Sequence, residues 1–71
     1  MTFADNLQAV MNEKKLSQAD VERKTGISQS VVSRYVRGKI EPTLENAIAI
    51  SIGLKISLNR LAFGKQKQKG A

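Results

Sequence analysis

Between Ser17 and Gly38 the chain is punctuated so closely that it can hold only two short helices joined by one tight turn. Ser17 opens the first, with Asp20 at the third helical position, the arrangement of a capping box. This helix is expected over Gln18 to Lys24, with Val21 as its main buried residue and Ala19 or Thr25 assisting. Gly26 stands where a left-handed residue ends a helix. Ser28 can cap the second helix, and Gly38 can end it with a positive φ. The whole connection is thus Thr25-Gly26-Ile27-Ser28, which leaves little freedom in how the two helices cross.

The second helix, QSVVSRYVR from Gln29 to Arg37, divides sharply at 100° per residue. Val31, Val32, Tyr35 and Val36 form an apolar arc. Gln29, Ser30, Ser33, Arg34 and Arg37 form the opposite arc, which has donors, acceptors and positive charge but no carboxylate. These side-chain types read base edges or hold phosphates in a major groove. The same face would also suit an ordinary solvated helix surface.

The flanking segments read as three more helices. Thr2 caps a helix over Phe3 to Lys14, with Asp5 near its positive end and Phe3, Leu7, Val10 and Met11 on its core stripe. Leu16 anchors the next connection. Pro42 turns Glu41 away from helix, so Gly38 to Pro42 is a connector. Thr43 caps a helix over Leu44 to Ile52 that is apolar almost all round, and such a helix is central or shared with a partner. Gly53 to Ile56 is expected to turn. Ser57 then caps a last helix, Leu58 to Ala62, with Leu58 and Leu61 packing and Phe63 closing the core. Residues 1–64 form one folded domain on this reading. The polar, basic stretch 65–71 has nothing to bury and is expected to be disordered.

A chain of 71 residues without cysteine or histidine offers no disulfide, no thiolate metal site or nucleophile, and lacks the commonest general base and metal ligand. Its carboxylates form no close catalytic pair, so neither an enzyme nor a cofactor is expected. The net charge of +6 points to an anionic partner. Arg23, Lys24, Arg34, Arg37 and Lys39 fall in a window free of acidic residues. No stretch is long and apolar enough to span a membrane, and the start shows no secretion signal, so a cytoplasmic protein is expected.

Residues 16–61 resemble the lambda-repressor and Cro type of helix-turn-helix domain. The likeness rests on LSQ opening the second helix, TGIS in the turn, SVVSRYVRGK through the third helix, EPTLE opening the fourth and ISLNRL at the end. It implies an all-α, five-helix DNA-binding domain that binds double-stranded DNA as a symmetric dimer. By position it implies base reading by Gln29, Ser30, Ser33 and Arg34, and phosphate contact by Gln18, Arg37 and Lys39. Arg23, Lys24 and Ser28 are further phosphate candidates from their charge or cap position.

Ile48, Ile52, Leu54 and Leu58 are candidates for a homodimer patch. Two departures from the family pattern stand out. Glu22 occupies a position where a small residue usually packs on the third helix, and it must reach solvent or pair, with Arg23 or an arginine of the third helix as candidates. Lys55 occupies a usual glycine position, unless Gly53 shifts the turn. The expected role is a minimal, phage Cro-like repressor on a palindromic operator, without a small-molecule effector. The alternatives are an antitoxin that autoregulates its promoter and a restriction–modification control protein.

Overall fold

The computed structural model describes residues 2–64, and helices are the only regular elements within them: α1 (Phe3–Lys14), α2 (Gln18–Thr25), α3 (Gln29–Val36), α4 (Leu44–Leu54) and α5 (Leu58–Phe63). The expected basic tail, 65–71, lies outside the described residues. No helix among the described residues is long and apolar enough to cross a membrane.

All five helices start on the hydroxyl residue that the sequence indicates. Thr2, Ser17, Ser28, Thr43 and Ser57 each accept a hydrogen bond from the backbone N–H three residues on. Such caps are worth about 1 kcal/mol each. The Ser17 cap is reciprocal, because its own N–H donates to Asp20 Oδ2 at 2.9 Å. The backbone and hydroxyl hydrogen bonds from Ser17, then the Arg23 guanidinium, hold the Asp20 carboxyl below the usual carboxylate range.

Leu7, Val10, Met11, Val21, Ile27, Val32, Tyr35, Ile50, Leu54 and Leu61 form one core. In that core α2 packs against both α3 and α4, while α1 packs against α3 and α5. Buried Asn6 donates through Nδ2 to the Leu61 carbonyl at 2.7 Å, and Arg60 forms a two-pronged ion pair with Glu13, so α1 holds α5 at two points.

Several expectations change at the C-terminal half, among them the packing of Leu58, which is 39% exposed and stands outside the core. Helix α4 continues through Gly53 to Leu54, so Gly53 is helical and the turn is not shifted. A Cβ at Gly53 would stand 2.7 Å from the Lys24 carbonyl oxygen and 2.9 Å from Thr25 Cγ2. Glycine is there so that α2 and α4 can approach, not so that the chain can turn. The turn falls on Lys55, which takes the left-handed conformation with φ 58. Lys15 does the same after α1, with φ 57. Because α4 is longer, Leu54 lies one turn beyond Ile50 on the same face and is buried, so it cannot belong to a surface patch. Phe63 lies about 200° round α5 from inward-facing Leu61 and is 63% exposed, so it does not close the core.

Candidate nucleic-acid interface

Helix α3 is fixed along its inner face and open along its outer face. Val32 and Tyr35 are fully buried, and Val31 and Val36 pack against the core in part. The Tyr35 ring meets Phe3 edge-on, with centroids 5.8 Å apart, and its hydroxyl accepts from Asn46 Nδ2 at 2.8 Å. Gln8 Nε2 donates to the Val36 carbonyl at 2.6 Å and so ties the last turn of α3 to α1. At the other end, Thr25 Oγ1 donates to the Val21 carbonyl and accepts from Ile27 N–H, which locks the turn before α3. Gln8 and Asn46 escape a reading of the sequence, because contacts so distant along the chain leave no local signal.

The outer face presents Gln29, Ser30, Arg34 and Arg37, all exposed, with Ser33 half-buried between them. Ser28 Oγ lies 3.4 Å from Ser30 Oγ at the start of the helix. The guanidinium of Arg34 has no hydrogen bond or ion pair among the described residues, and that of Arg37 touches only the Ser33 carbonyl, at 3.4 Å. Both retain free donor forks of the kind that match guanine O6 and N7 or a phosphate. Arg37 is the C-cap, Gly38 follows with φ 73, and Lys39 is exposed just beyond. An α-helix with its side chains is about 10–12 Å across and fits the width of a major groove, and the eight residues of α3 give about 12 Å of length to lie in it.

The remaining candidates are dispersed. Gln18 is half-buried at the start of α2. Arg23 is exposed but engaged with Asp20, so it does not pair with Glu22. Glu22 is half-buried and has no side-chain hydrogen bond or ion pair among the described residues; no arginine of α3 reaches it. Lys24 lines a cleft with Lys14 and Lys55, apart from the α3 cations. Of the expected apolar patch, Ile48, Ile52 and Leu58 are exposed, and Leu44 joins them at 70% exposure.

This geometry recurs in known proteins. A family model of the helix-turn-helix matches residues 7–61. The chain is 34% identical over 67 residues to YqaE of Bacillus subtilis (strain 168), described as an uncharacterized HTH-type transcriptional regulator. The match takes in 94% of this chain but only 58% of that relative's length. Among solved structures, the P22 c2 repressor in complex with a synthetic operator superposes with a TM-score of 0.81 and 28% identity, covering 92% of this chain and 98% of that one. A transcriptional regulator from Listeria innocua shares the fold with a TM-score of 0.76 and 21% identity, covering 99% of this chain and 65% of that one.

Proposed function

This chain belongs to the helix-turn-helix family of the lambda-repressor type, and on that premise we propose that it is a sequence-specific DNA-binding transcriptional regulator. The observation that carries the reading is the outer face of α3: Gln29, Ser30 and Arg34 exposed without a carboxylate, on a helix whose inner face is rigidly held. Gln29 pairs with adenine and Arg34 with guanine, while the small Ser30 and Ser33 allow the backbone to approach. Ser28, Arg37 and Lys39 hold phosphates around the reading positions, and Gln18, Arg23 and Lys24 contact the backbone at the periphery. The operator-bound state of the similar P22 c2 repressor supports this assignment.

The operator is a palindrome bound by two copies, with half-sites about 10 base pairs apart. The exposed large apolar residues among those described, from Ile40 to Phe63, all follow α3, which supports a self-association surface built on Leu44, Ile48, Ile52 and Leu58. The resulting protein is a Cro-like repressor. Arg34→Ala is expected to flatten the preference among related duplexes by about 1–3 kcal/mol at one base position. Lys39→Ala is expected to weaken all duplexes alike and to lower the salt dependence by about one unit of slope. Equal losses on every duplex for Arg34→Ala would refute its role in reading bases.

A further inference from the structure

The turn that ends α3 carries Arg37 and Lys39, and it is closed from outside as well as from within. A helix leaves its last four carbonyls without partners inside it. In α3 these belong to Ser33, Arg34, Tyr35 and Val36. The chain that follows satisfies three of them. Arg37 N–H donates to the Ser33 carbonyl at 3.0 Å, Lys39 N–H to that of Arg34 at 2.9 Å and Gly38 N–H to that of Tyr35 at 3.1 Å. The Val36 carbonyl receives no backbone donor among the described residues. Its partner is the side chain of Gln8, 28 positions away in α1, at 2.6 Å. A second contact lies one turn earlier on the same stripe of α1. A Cβ built on Gly38 would stand 3.7 Å from Ala4 Cβ, so the glycine between Arg37 and Lys39 backs onto α1.

We propose that Gln8 is a positioning residue for DNA binding: its carboxamide holds the last turn of α3 against α1 and so fixes where Arg37 and Lys39 meet the phosphates. This role rests on the DNA-binding reading given above. Phosphate contacts carry no sequence information, but they set the register of a reading helix on the duplex. Gln8 is exposed, so its hydrogen bond is exchanged against water and adds little to global stability. What it removes is local freedom of the turn, which is otherwise joined to α1 at this point only where Gly38 backs onto Ala4. Specific binding needs the phosphate and base contacts in one register, whereas nonspecific binding needs only positive charge close to the duplex. A loosened turn therefore costs the first more than the second. The role also needs a donor: a carboxylate of the same length would bring a second acceptor to the negative end of α3.

The test compares the full chain with Gln8→Met, which keeps the side-chain length and deletes the donor, and with Gln8→Lys, which restores a donor of similar reach. Without DNA, amide hydrogen exchange of Arg37 and Lys39 should quicken about fivefold in Gln8→Met, with the exchange of Val10 and Met11 and the urea midpoint unchanged. On DNA, affinity for a duplex that the parent chain enriches from a random library should fall about fivefold, while affinity for a random duplex stays within about twofold. Gln8→Lys should return the ratio of the two affinities to the parent value, because the ratio cancels the pull of the added charge on any duplex. Unchanged exchange at Arg37 and Lys39 would overturn the proposal, as would equal losses on both duplexes or a ratio that Gln8→Lys leaves as low as Gln8→Met does. A parent chain that prefers no duplex would overturn the DNA-binding reading and this role with it, and that failure is told apart because it precedes any substitution.

Discussion

Gly53→Ala should destabilise this protein, although the same change in most helices stabilises. In a helix interior, alanine is favoured over glycine by about 1 kcal/mol. At Gly53 the added Cβ would lie 2.7 Å from the Lys24 carbonyl oxygen and 3.1 Å from its carbon. Both are backbone atoms at the C-terminal end of α2, so no side chain can swing aside; α2 and α4 must separate. Overpacking of this kind costs about 1–3 kcal/mol. The net loss is then up to about 2 kcal/mol, and each kcal/mol lowers the melting temperature of a domain this small by roughly 4–8 °C. Urea denaturation followed by far-ultraviolet circular dichroism measures it, with a lower midpoint and an unchanged slope expected. The displaced end of α2 leads directly into the turn before α3, so DNA affinity should fall as well. A midpoint that rises, as simple helix propensity would have it, would refute the close-approach account of Gly53.

Three further outcomes follow from local physics. Lys15→Gly and Lys55→Gly should each stabilise by about 0.5–1 kcal/mol, because relief of left-handed strain exceeds the entropic cost of glycine; unchanged or lower urea midpoints would contradict this. Asn6→Ala removes the buried donor to the Leu61 carbonyl and should cost about 1–2 kcal/mol, with faster amide exchange in α5 as its signature. The Asp20 carboxyl is held below its ordinary value, so its contribution is present above about pH 4 and is lost as pH falls through the folded value. Stability followed against pH should therefore fall less steeply in acid for Asp20→Asn than for the parent chain, and identical acid limbs would argue against the capping box as a source of acid sensitivity.

What the sequence made legible was whatever is local. Each helix start is written in one hydroxyl residue whose partner lies three positions away, so Thr2, Ser17, Ser28, Thr43 and Ser57 could all be read directly. The outer face of α3 was legible for the same reason, since helical periodicity alone separates Val32 and Tyr35 from Gln29 and Arg34. Helix ends were harder. Lys15 and Lys55 close α1 and α4 without the glycine that usually marks such a position, and Gly53 carries the mark of a turn for a reason that lies in α2. That single ambiguity shortened α4 and placed buried Leu54 on the surface. The supports of α3 through Gln8 and Asn46, and the meeting of Lys14, Lys24 and Lys55 at one cleft, depend on tertiary packing that no local pattern encodes.

Selection of bound sequences from a random duplex library at near-physiological salt separates base reading by α3 from attraction by charge alone. Enrichment of a palindrome with half-sites about one helical turn apart is expected, with loss of a single base preference per half-site when Arg34 is replaced by alanine. Binding without enrichment, collapsing as salt rises, would mean that charge alone holds the DNA and would contradict base reading by α3.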